Sequence, residues 1–161
     1  MVCARLVNLP PLIQGEVFVS DLRDQNLFIY DMRFTTHGTA YFCSGSNPET
    51  IVFVHGVGML SAVWQPQLKY FSSSYQTLAY DLLGHGKSPM PPEEASLDDY
   101  VEQLNNLVEF LEVSSFCLVG HSIGAIISVA FALKYPNKIV ALTPINMVFN
   151  RTDKARLEAL D

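Results

Sequence analysis

Apolar and polar residues alternate without a sustained period over residues 1–31. Val17–Val19 and Leu27–Tyr30 read as short strands, with Asp21, Arg23 and Asp24 as a turn between them. We treat residues 1–31 as an N-terminal extension with no assigned structure. Met32 opens a cleaner pattern. Met32–Thr35 and Thr39–Ser44 predict two strands joined at His37 and Gly38 as a hairpin, followed by a loop at Gly45, Ser46, Asn47 and Pro48. The rhythm then changes. Ile51–Val54 is an uninterrupted apolar run, which suits a strand covered on both faces. A loop from His55 to Leu60 leads to a short helix over Ala62–Phe71, and Leu78–Tyr80 is a second such strand, ending at Asp81.

The clearest helix spans residues 97–112, where Leu97, Tyr100, Val101, Leu104, Leu107, Val108 and Leu111 recur at helical spacing. Ser96 and Asp99 form a capping box at its start. Phe116–Val119 reads as another buried strand. Ile123–Leu133 is apolar nearly all round and reads as a central buried helix, stopped before Pro136. Ile139–Leu142 is a further strand ended by Pro144, and Thr152–Leu160 starts a charged, weakly amphipathic helix. Such alternation predicts an α/β fold: a mostly parallel sheet with helices on both faces. Ligands collect at the carboxyl ends of such strands, and loops 55–61, 81–95 and 120–123 leave those ends.

Composition narrows the function. The 161 residues suit one domain, and 49% are apolar, enough for a sizeable core. A net charge of −6 argues against nucleic acid or an anionic membrane as partner. Cys3, Cys43 and Cys117 are widely spaced and form no CxxC, so neither a disulfide framework nor a zinc site is expected. Pro10 and Pro11 break the early apolar run, which makes a poor signal peptide. No stretch reaches the roughly 18 apolar residues of a membrane span. The expectation is a cytoplasmic protein.

Chemistry is carried by three loops. Gly120-His121-Ser122-Ile123-Gly124 matches G-x-S-x-G between a buried strand and a buried helix, the setting of a nucleophile elbow. A serine capping the helix would account for Ser122 but not for both glycines. His55-Gly56-Val57-Gly58 ends the earlier strand. Acyl transfer needs backbone N–H groups aimed at a developing oxyanion, and Ile123 and Val57 are the candidates. Asp81-Leu82-Leu83-Gly84-His85-Gly86-Lys87-Ser88 ends the next strand. It is not a phosphate loop, because Asp81 stands where a Walker A glycine is needed. Asp81 and His85 read as parts of a structural turn.

H-G-x-G, D-x-x-G-H-G-x-S and G-H-S-x-G, in that order, resemble the α/β-hydrolase superfamily. The resemblance runs from about Thr35 to Ile145 and leans toward the small esterase, enol-lactonase and carbon–carbon-bond hydrolase branch. It implies Ser122 as nucleophile, an oxyanion hole from the Val57 and Ile123 amides, and a shaping role for His55, Gly56, Gly58, Gly120, His121 and Gly124. Ser122 argues against the dehalogenase and epoxide hydrolase branches, which place Asp at the elbow. No metal or cofactor is implied.

The family order is serine, acid, then histidine. Here His37, His55, His85 and His121 all precede Ser122, and the later acids are Asp153, Glu158 and Asp161. Asn146 follows the last strand, where some relatives place the acid. Residues 32–161 therefore read as an incomplete N-terminal half, truncated before the lid and the last strands. The expected function is a serine hydrolase of small, fairly apolar esters, lactones or related carbonyl compounds, inactive in this length. Met59, Leu60 and Trp64 are candidates to line an apolar pocket, with core packing the competing role. A non-catalytic ligand-binding or scaffold protein is the alternative.

Overall fold

The computed structural model describes residues 31–91, 93 and 95–147. The two early strand segments and the Thr152–Leu160 helix lie outside the described residues. In chain order the elements are β1 (Arg33–Phe34), β2 (Ala40–Ser44), β3 (Thr50–Val54), α1 (Gln65–Phe71), β4 (Gln76–Tyr80), α2 (Leu97–Phe110), β5 (Phe116–His121), α3 (Ile123–Lys134) and β6 (Ile139–Ile145).

One sheet runs β1-β2-β4-β3-β5-β6. The apolar runs form its parallel part: β4 pairs with β3, β3 with β5 and β5 with β6. The hairpin lies antiparallel against β4, in register Tyr41 with Tyr80 and Phe42 with Ala79. Its turn uses Gly38 at φ 82°.

Side chains alternate across the sheet and build a core on each face. Val52, Val54, Leu78, Tyr80 and Leu118 face Val101, Leu104, Leu107 and Val108 of α2 and Ile127 and Phe131 of α3. Ile51, Phe53 and Ala79 face Trp64 and Leu68, around α1. Burying each such Leu, Ile or Val contributes about 1.5–3 kcal/mol. The helical spacing of α2 thus translates directly into its packing face. Ser96 caps α2 as expected: its hydroxyl accepts from Asp99 N–H, and Asp99 accepts from Ser96 N–H.

Three elements differ from the sequence reading. The helix at 62–71 is two pieces, a 3-10 turn at Ser61–Trp64 and then α1, because Pro66 brings no N–H and is tolerated only in a first turn. β6 runs through Pro144 to Ile145, which an edge strand permits because a missing N–H on the open side breaks no ladder bond. α3 is not buried all round. Gly124, Ala125, Ile127, Ser128 and Phe131 are covered, whereas Leu133 is 79% exposed.

Candidate active site

The turn between β5 and α3 holds Ser122 at φ 56° and ψ −119°. A residue with a Cβ rarely occupies this region, and holding it there costs about 1–3 kcal/mol. The surroundings over-determine the turn. Ser122 N–H donates to Ile145 O at 2.9 Å, tying the elbow to the end of β6, and Ala125 N–H donates to Ser122 O at 3.0 Å. Ser122 stands in the capping position of α3, yet its side chain makes no capping bond. A simple helix cap therefore does not account for it.

The neighbouring glycines have steric reasons. A Cβ on Gly124 would lie 2.5 Å from both the Val54 and His55 carbonyl oxygens, so α3 begins against the end of β3. A Cβ on Gly120 would overlap Gly124 O and Ser128 Oγ. Ser128 fills that space and donates to Gly124 O at 2.7 Å. On Gly56, a Cβ would meet His121 Nδ1 at 3.0 Å and Ser122 Cβ at 3.2 Å. The fold thus brings the 55–58 loop directly against Ser122, as the two motifs required. Val57 is 68% exposed at the tip of that loop, Gly58 follows at φ 70° and Ile123 is half-buried.

The histidines do different work. His55 is fully buried: Nδ1–H donates to Gly56 O at 2.8 Å, and Nε2 accepts from Leu82 N–H at 3.0 Å. Burial holds its pKa below the ordinary histidine value, and the nearby His85 adds to the effect, against the Gly56 hydrogen bond and Asp81. Both ring nitrogens are engaged, which suits a neutral strut. His85 faces Leu83 O at 3.0 Å through Nδ1. His121 Nε2 faces Asn146 Nδ2 at 3.3 Å, and its Nδ1 is buried without a partner. Asn146 is thus a neighbour of His121, at φ 50° beyond β6. His37 is exposed on the hairpin turn.

Asp81 is a structural centre, as the turn reading expected, and its reach is larger than the sequence disclosed. Its Oδ1 accepts from Ser61 N–H at 2.8 Å and Ser61 Oγ–H at 2.6 Å, and its Oδ2 accepts from Lys87 N–H at 2.9 Å. Its carbonyl accepts from Ser88 Oγ–H at 2.6 Å and Gln103 Nε2–H at 3.0 Å. Ser61 and Gln103 were missed. The available signal for Gln103 was its place on the apolar side of α2, next to Leu104. Trp64 is 8% exposed and packs on Phe53 with ring centroids 5.1 Å apart, so it belongs to the core. Met59 and Leu60 are 36% and 45% exposed near the site. Among the described residues, no group of three or more His, Cys, Asp or Glu is placed to hold a metal, and no helix is long and apolar enough to cross a membrane.

A family model described as alpha/beta hydrolase fold matches residues 49–160. The chain belongs to the α/β-hydrolase family. It is similar to the (E)-2-((N-methylformamido)methylene)succinate hydrolase of Acinetobacter baylyi, with 31% identity over 78% of this chain and 48% of that protein. It is also similar to the 2-(acetamidomethylene)succinate hydrolase of Mesorhizobium japonicum, with 36% identity over 73% of this chain and 40% of that protein. A solved hydrolase of Pseudomonas aeruginosa PA01 superposes with a TM-score of 0.70 at 26% identity, covering 84% of this chain and 52% of that one. The α/β-hydrolase chain thus spans about half the length of the curated relatives it matches.

Proposed function

We propose that the protein is a serine hydrolase of small esters, lactones or related carbonyl compounds, with Ser122 as its nucleophile. The observation that carries this reading is Ser122 at φ 56° between β5 and α3, with no capping bond, facing a glycine loop. Strain of this kind at a strand–helix turn is what exposes a nucleophile elbow. In the proposed reaction Ser122 Oγ attacks the substrate carbonyl, and the Val57 and Ile123 amides stabilise the oxyanion. Ser122's own amide is committed to Ile145 O, so it is not a donor for this purpose. Named hydrolases among the relatives support the reaction class.

The general base is proposed to be a histidine from outside this sequence. His55 has both nitrogens engaged, and His121 sits against Gly56 and Asn146. The domain formed by residues 32–161 is accordingly proposed as the N-terminal half of the catalytic unit. A cytoplasmic site of action agrees with the free thiols of Cys43 and Cys117.

Turnover of p-nitrophenyl acetate tests the reading. The 161-residue chain is expected to be slower by several orders of magnitude than the same chain joined to the C-terminal half of a relative, because a serine without its base is a weak nucleophile. Ser122→Ala should abolish turnover in the joined form. Turnover that survives Ser122→Ala would remove the assignment.

A further inference from the structure

The exposed stretch Val57–Leu60 is tied locally by backbone turn bonds, Met59 N–H to Gly56 O at 3.2 Å and Val63 N–H to Leu60 O at 3.1 Å, and its position depends on what holds its two ends. Both ends are held by consecutive residues at the end of β4. At the start, His55 reaches Leu82 N–H. At the finish, Ser61 is fully buried and gives both its N–H and its hydroxyl to one oxygen of Asp81. The other oxygen of Asp81 takes Lys87 N–H, and Asp81's backbone is anchored by Ala40, Ser88 and Gln103. The space around the carboxylate is closed: a Cβ on Gly86 would overlap it, and Gly86 sits at φ 52°. Hydrogen bonds to a buried carboxylate are among the stronger ones in a protein, stronger than the contacts an exposed loop makes with itself.

We propose that Asp81 is a positioning residue: acting through Ser61, its carboxylate sets the conformation of the 56–60 loop and hence the direction of the Val57 amide. Its role as an oxyanion-loop clamp rests on the serine hydrolase reading; the clamp itself does not. Asp81 touches no reacting atom in this scheme. Its two oxygens are already committed, so it is not the acid partner of a catalytic histidine.

The test is amide NMR on the 15N-labelled 161-residue chain with Asp81→Asn, Asp81→Ala, Ser61→Ala and Ser88→Ala. Asparagine keeps one acceptor but sets a donor against either Ser61 or Lys87. Asp81→Asn and Ser61→Ala should move the Val57 and Gly58 cross-peaks and speed exchange of the Met59 and Ser61 amides about tenfold. Asp81→Ala should do more than Asp81→Asn. Ser88→Ala removes a buried bond to Asp81's carbonyl, whose backbone Ala40 and Gln103 still hold, and leaves the carboxylate alone, so it should move these amides less than Ser61→Ala does. If Asp81→Ala does not fold, the Ser61→Ala and Asp81→Asn pair decides. Unchanged loop amides in both would overturn the proposal. So would changes of the same size in β5 and α3, or the same loop response to Ser88→Ala. A failure of Ser122-dependent turnover would remove the hydrolase reading and leave this test standing.

Discussion

The turn at Ser122 and the loop from His55 to Ser61 lie against each other and are held in opposite ways. The turn is held by backbone packing: Gly120 and Gly124 let α3 begin against Val54 and His55, and β6 takes the Ser122 amide. The loop is held by side chains that bridge it to the residues just after β4: Asp81 accepts from Ser61, His55 accepts from Leu82 N–H, and both are fully or almost fully buried. The difference teaches where each is vulnerable. Steric change should break the turn, whereas loss of a polar partner or a change of charge should loosen the loop.

The largest expected effect is steric. Gly124→Val puts side-chain atoms against the carbonyl oxygens of Val54 and His55, at a distance where backbone must shift. We expect a loss of about 3 kcal/mol or more in urea unfolding. A loss below about 1 kcal/mol would show that α3 can shift and that the turn is less constrained than its packing implies.

A smaller effect is expected from acid. The folded-state pKa of His55 is depressed, so protonation is easier in the unfolded chain. The stability His55 contributes is present above the ordinary histidine range and is lost as pH falls from about 6.5 toward the folded value. Urea midpoints at pH 7.5 and 5.5 should therefore diverge more in the wild type than in His55→Asn. Equal divergence in both would assign the acid sensitivity to other groups.

The smallest change addresses the contact between the two regions. A methyl on Gly56 meets His121 Nδ1 and the Ser122 Cβ at 3.0–3.2 Å, a crowding that a few tenths of an ångström relieves. Gly56→Ala should leave stability within about 1 kcal/mol. It should still slow Ser122-dependent turnover in a joined, active chain, because it displaces the loop from the serine. Unaltered turnover would mean that this contact does not set the geometry of the site.

The parallel strands, the capped α2 and the elbow were legible because each rests on short-range rules. Ile51–Val54 and Phe116–Val119 show unbroken apolarity, Ser96 and Asp99 are three residues apart, and the elbow's glycines flank Ser122. The Asp81 clamp was only partly legible. Its motif marks a turn, but Ser61 and Gln103 come to it from other elements, and nothing near them in sequence announces that meeting. The coverage of α3 was not legible at all. Apolarity states what a helix could bury, whereas which side is covered is set by the rest of the fold, and Leu133 is left exposed. Pro66 and Pro144 misled for one reason: a proline excludes an N–H at one position, and whether that ends an element depends on whether a neighbour needed that N–H.

The bond from Ser122 N–H to Ile145 O also bears on the order of biosynthesis. A chain emerging from the ribosome folds what has already left the tunnel. Until Ile145 emerges, the Ser122 amide lacks its acceptor, and one of the restraints on the strained turn is absent. The turn at Ser122 is thus completed only after the hairpin, β3, β4 and β5 are available to form the sheet.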